Sequence, residues 1–235
     1  MKPTLNEISW CKVINMFRLD RGVETCKWAT SFCRATCYKW KMMVVFDRSI
    51  IAKDQRLQGQ WPLLNAETWA EWASMRRKPV ERFRFCTRGE TFSCAADVDK
   101  IADVVSGNPG TLFWMPTRAW RNPHLRSKLD KLVRPLPNAR LQASVDPTTK
   151  PIQLASLDRD GWSTMFYGND GNVGRQGRTL CRKTWFHDDG VACDTCGICF
   201  SAQQTHVHLK WHSRFKMTET LRAKRQKYLD AAKAA

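Results

Sequence analysis

Within seven residues, Cys193, Cys196 and Cys199 set three thiols at two successive x2 spacings, and no other run constrains this chain more. Three thiolates on one tight loop suit three corners of a 4Fe–4S cluster, with a remote fourth cysteine closing the set. Cys181 is placed to be that fourth ligand, and Gly197 lets the loop turn between ligands. Tetrahedral zinc more often takes two separated C-x2-C knuckles, so zinc is the alternative metal for this group. A second group, Cys26-x6-Cys33-x3-Cys37, has three cysteines and no evident fourth. Three thiolates leave one iron of a cube open to a substrate or cofactor, which points to chemistry; a four-cysteine set points to structure or electron transfer. The alternatives for Cys26, Cys33 and Cys37 are a zinc knuckle completed by a histidine, or simply buried thiols. A single cluster drawing on both groups is a further possibility. Cys11, Cys86 and Cys94 stand apart; Cys86 falls inside a predicted strand and reads as core, and Cys94 stays open.

The opening MKPTLNEISWCKVINMFRLD has no apolar signal region, and no stretch nears the roughly 18 apolar residues of a membrane span. The expected setting is the cytoplasm, where cysteines bind metal or react rather than pair. Charge is the second strong constraint. Lys and Arg number 39 against 22 Asp and Glu, a net +17, so the expected partner is a polyanion, with nucleic acid first; the bland alternative is a solubilising surface. Basic residues are densest from Arg118 to Arg134 and from Lys210 to Lys227. Oligomeric state is not legible.

Between the cysteine groups runs a strand–helix rhythm. An amphipathic helix over 65–76 is capped by Asn65. A strand over 81–88 is followed by a helix over 93–107, with Ser93 as cap and Gly107 as stop. A strand over 111–117 leads to a helix over 122–134, capped by Asn122 with Pro123 at the first helical position. Strands over 139–146 and 161–168 complete the series. This alternation predicts a parallel sheet of βα units, either a partial (β/α) barrel or a small open α/β sheet. Residues 1–40 have no regular pattern. Four glycines between Gly168 and Gly177 mark a connector. The expected organisation is therefore residues 1–167 as the α/β unit with the three-cysteine loop, 168–215 as a four-cysteine lobe, and 216–235 as a basic helical tail. His206 and His208 share one face of a short strand and read as packing or surface residues, as does His212; His187 and Asp188 are weaker candidates still.

Polar residues gather just after the predicted strands: Thr87-Arg88-Gly89-Glu90, then Thr117-Arg118, then Ser144 and Asp146. Ligands of parallel sheets bind at these carboxyl ends, so the three sets are expected to share one site. Together with the T-C-x6-C-x3-C-Y segment (Thr25 to Tyr38), the P-N-x-x-L-Q-x-S-x-D segment (Pro137 to Asp146) and the closing C-x2-C-x2-C-aromatic run, these motifs resemble the phage gene product 88 domain family over residues 20–212. That family is similar in turn to the radical S-adenosylmethionine barrel superfamily. The resemblance implies a cluster on Cys26, Cys33 and Cys37, with Gly89 and Glu90 meeting the amino group of S-adenosylmethionine and Ser144 and Asp146 its ribose or carboxylate. Glu90, Arg118 and Asp146 become candidate catalytic residues. The superfamily's usual C-x3-C-x2-C is replaced here by C-x6-C-x3-C, and its glycine pair before the acid by Arg88-Gly89. The function expected is an iron–sulfur enzyme, with one or two clusters, acting on nucleic acid or a nucleotide-linked substrate in a host cytoplasm. The alternative is a nucleic-acid-binding module stapled by cluster or zinc.

Overall fold

Aromatic residues alternate along the predicted strands, and in a computed structural model of the chain they become one wall of the core. The structure describes residues 5–12, 14–37, 47–168, 177–185, 191–210 and 223. Its strands are β1 (Ser9–Cys11), β2 (Met16–Leu19), β3 (Arg82–Phe85), β4 (Leu112–Thr117), β5 (Ala139–Val145), β6 (Ser163–Gly168), β7 (Thr179–Leu180) and β8 (His206–Lys210). They form one open sheet in the order β1-β2-β3-β4-β5-β6-β8-β7. The β1–β2 pair is antiparallel and every other pair is parallel. From β2 to β6 the spatial order follows the chain order. Right-handed crossovers then lay successive helices on the same face. The expected α/β class, a partial barrel or parallel sheet, is what the chain forms.

The period of two sorts the side chains. Phe83, Phe85, Phe113, Met115, Leu141 and Val145 face the helices α3 (Ala66–Ser74), α4 (Ala95–Ser106) and α5 (Pro123–Leu132), meeting Trp69, Trp72, Val98, Ile101 and Leu129 in the main core. Phe83 lies between Trp69, Trp72, Phe85 and Phe113 at ring separations of 5.0–6.1 Å. The opposite face carries Met16, Trp114 and Met165. They form a second cluster with Phe200, against which Cys193 and Cys199 pack. The four-cysteine segment is thus laid against the face of the sheet opposite α3, α4 and α5.

The helix caps at Asn65 and Asn122 are as expected: Asn65 Oδ1 accepts from Thr68 N and Asn122 Oδ1 from Leu125 N. Three expectations are corrected. The helix after β3 is capped one residue later, at Cys94; Asp97 at its third position accepts from the N–H groups of Ser93 and Cys94 and from the Ser93 hydroxyl. Residues 1–40, expected to be irregular, hold β1, β2 and α1 (Ser31–Thr36) among the described residues. Helices α2 (Asp47–Gln60) and α6 (Pro151–Arg159) were not predicted. Most of the glycine-rich connector and of the basic tail lies outside the described residues, as do His187, Asp188 and His212.

Candidate functional site

Because β2 precedes Cys26, the three-cysteine segment is not an appendage ahead of the sheet. It is the loop leaving the carboxyl end of the first parallel strand, beside the ends of β3, β4 and β5. A 3-10 turn (Val23–Thr25) leads into Cys26, and α1 carries Cys33 to Cys37 at its end. Thr30 caps α1 by accepting from Cys33 N at 3.0 Å and donates its hydroxyl to Asp146 Oδ2 at 2.6 Å. The helix bearing Cys33 is thereby tied to the end of β5. Thr25 accepts from Glu90 N at 2.9 Å, tying the turn before Cys26 to the segment after β3.

The polar strand ends do converge, and they bond chiefly to one another. Glu90 is buried: Oε1 accepts from the Thr117 hydroxyl at 2.6 Å and Phe92 N at 3.2 Å, and Oε2 from Arg118 N at 2.9 Å. Burial outweighs these bonds and raises its pKa. Arg118 donates from Nη1 to Asp146 Oδ2 at 2.6 Å, and Asp146 Oδ1 accepts from the Thr148 hydroxyl at 2.6 Å and Thr148 N at 3.0 Å. Burial opposes ionisation of Asp146, but Arg118 and the Thr148 and Thr30 bonds prevail and lower its pKa. Ser144 is half-buried, and its carbonyl accepts from Trp120 Nε1. Gly89 has φ +79°, and a Cβ there would lie 2.5 Å from the Arg21 carbonyl oxygen, so only glycine fits where the two loops touch.

Sequence reasoning missed the residue that frames these loops. Asp20, one past β2, is 3% exposed. Its Oδ1 accepts from Thr87 N, the Thr87 hydroxyl and Arg88 N at 2.7–3.1 Å, and Oδ2 pairs with Arg88 Nε at 3.1 Å and Arg18 Nε at 3.3 Å. Burial opposes its charge, yet Arg18 and Arg88 lower its pKa overall. An Asp directly after a short apolar strand is its only sequence signal, and that strand was itself not predicted.

Cys33 and Cys37 lie close enough to Cys26 to act on its thiol electrostatically. Burial raises the Cys26 pKa well above the usual thiol range, and Glu90, Cys33, Cys37 and Cys86 push it the same way. Cys86 lies just past β3 rather than inside it, with φ +51°; it is buried, and desolvation pushes its pKa up to about 12. Cys94 is exposed.

The other four cysteines form their own set. Burial raises Cys199 to about 12 and Cys193 to about 11; Cys181 and Cys196 add to both, and Arg84 opposes both. The two sets share no member among these interactions. Gly197, at φ +68°, turns the chain between a one-turn helix (Cys193–Cys196) and a 3-10 turn (Ile198–Phe200). Phe200 packs its ring on Trp114 at 5.7 Å, and its carbonyl accepts from Arg140 Nε at 2.8 Å. Arg84 projects from β3 over Trp114, and its Nε is buried with no hydrogen-bond partner among the described residues. All ten cysteines are free thiols. Among the described residues, no group of three or more His, Cys, Asp or Glu side chains is drawn together as the ligands of one metal ion. Two histidines are bonded within the sheet: His206 Nδ1 meets the Thr164 hydroxyl, and the buried His208 Nε2 meets the Gly168 carbonyl.

The sequence profile of a family described as Gene product 88 matches residues 2–202. The chain belongs to the Gene product 88 family. The matched span takes in both cysteine groups and every strand end described above, and stops before β8. No curated protein and no solved structure matches the chain. No helix among the described residues is long and apolar enough to cross a membrane.

Proposed function

We propose that this phage-type protein is an iron–sulfur enzyme of radical S-adenosylmethionine character acting on nucleic acid or a nucleotide-linked substrate. The observation that supports the reading is that the segment carrying Cys26, Cys33 and Cys37 leaves the carboxyl end of β2 and is tied by Thr25 and Thr30 to the ends of β3 and β5, where parallel sheets bind their ligands. The donor chemistry fits a cluster. Three half-buried free thiols, of which Cys26 has its pKa raised by burial and by Glu90, Cys33 and Cys37, are a donor set whose charge a metal centre would balance on binding. Cys181, Cys193, Cys196 and Cys199 would hold a second cluster, facing the unpartnered Nε of Arg84, a buried cation suited to a net-negative cluster.

A three-thiolate cluster would supply one electron to a bound sulfonium. The protein's own part is positional. Thr30 and Asp146 hold the helix of Cys33, Thr25 and Glu90 hold the turn of Cys26, and Gly89 keeps the backbone free of a side chain where the loops meet. Ser144 and Asp146 would bound the cofactor's ribose or carboxylate side, and Gly89 and Glu90 its amino group. The basic surface supports a polyanionic substrate.

A second reading is favoured by one observation. Glu90, Arg118 and Asp146 spend much of their hydrogen-bonding capacity on each other and on nearby backbone and threonine groups, as the frame of a non-catalytic binding module would. Anaerobic purification followed by iron and zinc analysis and electron paramagnetic resonance tests the cluster. S-adenosylmethionine cleavage by the reduced protein then separates enzyme from module. A colourless protein carrying only zinc overturns the proposal, and an iron protein without cleavage leaves the module.

A further inference from the structure

The basic stretch that stands out in the sequence is not a free patch in the fold. Arg118 pairs with Asp146, Arg126 with Asp160, Lys128 with Asp99 and Arg134 with Asp130, while Arg121 bonds Thr149 and stacks on Trp120. Unspent charge lies elsewhere. After α3 the chain runs Arg76-Arg77-Lys78, all exposed. Arg77 and Lys78 have no hydrogen bond or ion pair among the described residues, and Arg76 lies 5.0 Å over the Trp72 ring.

These three line a groove of about 780 Å³ at the amino end of β3, next to the edge strand β1. Its far wall is Trp10, 49% exposed although held edge-on to Phe17 at 4.9 Å. Glu81 and Asp194 are the groove's acids. Asp194 is partly engaged: its Oδ2 accepts from Asn15 and its carbonyl from Arg82, while Oδ1 is buried with no hydrogen-bond partner among the described residues. A half-bare indole beside exposed, unpaired cations is the pairing that grips a single strand: the ring stacks a base and the cations meet its phosphates. A duplex keeps its bases stacked and would leave the indole unused. We infer that this groove docks single-stranded nucleic acid, with a base on Trp10 and phosphates on Arg77 and Lys78, on the opposite side of the sheet's length from the three-cysteine loop. The inference rests on the nucleic-acid reading above and assigns it a place.

The test is fluorescence anisotropy of a short labelled oligothymidylate with the full chain, between roughly 50 and 200 mM salt. Trp10→Ala is expected to weaken binding about tenfold. Arg77→Gln with Lys78→Gln removes two phosphate contacts and is expected to flatten the slope of log K against log salt by about 1.4. The control, Lys131→Gln with Arg159→Gln, makes the same charge change at exposed sites away from the groove and should leave the slope unchanged. If the wild type binds and the groove variants match the control, the groove is wrong while the nucleic-acid reading stands. If the wild type binds neither oligothymidylate nor duplex, both fall.

Discussion

Asp20 offers the sharpest test of how the site is held. Asp20→Ala removes the acceptor of three short bonds from Thr87 and Arg88 and leaves the Arg88 guanidinium, itself buried, without its carboxylate. Breaking a buried ion pair from one side costs about 3–5 kcal/mol, because the remaining charge stays desolvated. At about 2–4 °C per kcal/mol for a chain of this size, the melting temperature should fall by roughly 6–20 °C. Circular dichroism melts would measure this. Adding Arg88→Leu to Asp20→Ala should recover part of the loss, since the stranded charge goes too. The sign of the pH effect follows from the lowered pKa. Asp20 is charged in the fold below its unfolded pKa of about 3.9, so its contribution is complete above that pH and is lost as pH falls through the folded value. The stability gap between wild type and Asp20→Asn should therefore be flat at neutral pH and close below about pH 4. A melting shift under about 3 °C, or a gap that widens in acid, would refute the reasoning.

Three further outcomes can be checked. Gly89→Ala forces a Cβ against the Arg21 carbonyl at positive φ, so a loss of about 2 kcal/mol or more is expected in urea unfolding, against a near-neutral result for Gly110→Ala, where a Cβ meets nothing within 4 Å. Asn138→Ala removes the Nδ2 donor that the carbonyls of Val105, Asn108 and Thr111 share at 2.9–3.1 Å; the first two keep the N–H groups of Asn108 and Thr111, so the change should cost about 1–2 kcal/mol by the same assay. If each cysteine set holds its own cube, Cys26→Ala and Cys199→Ala should each remove about half of roughly eight iron atoms; total loss from either would mean one shared centre.

How much of this was legible depended on how strongly each segment signalled locally. The run from Asn65 to Gly168 carries caps, a proline at a first helical turn and alternating aromatics, and every element expected there formed within a few residues of its expected bounds. The first parallel strand was hidden because Met16–Leu19 spans four residues and includes Arg18, which turns away to meet Asp20 and Thr87. Strand β2 exists because it pairs with β3, a contact some 65 residues away in sequence that no local pattern reports. Helix α2, DRSIIAKDQRLQGQ, has a weak apolar stripe and is held by Leu57 against the core. Asp97 was similarly invisible: as the acceptor for Arg21, Ser93 and Trp61 it reads in sequence as an ordinary helical acid.

The missed strand changes what the three-cysteine loop is. A loop ahead of a sheet is free to sit anywhere; a loop leaving the carboxyl end of the first parallel strand is bounded by the next three strand ends. Each end contributes one tie. Asp20 fixes the segment after β3, Glu90 reaches from that segment to Thr117 and Arg118 after β4, and Arg118 reaches on to Asp146 after β5. Asp146 then returns to Thr30, at the cap of the helix that carries Cys33. The chain of bonds closes on the cysteines. Glu90 and Asp146 sit in it with pKa values displaced in opposite directions, Glu90 raised because burial outweighs its bonds and the charge of Arg118, and Asp146 lowered because burial is outweighed by its direct pair with Arg118 and its hydrogen bonds. Such a pair can divide acid and base roles, but in this fold its evident physical work is to fix where Cys26 and Cys33 stand. Glu90, Arg118 and Asp146, which sequence spacing nominated as chemical, thus also form the frame that holds the segment of Cys26 and Cys33 against the strand ends.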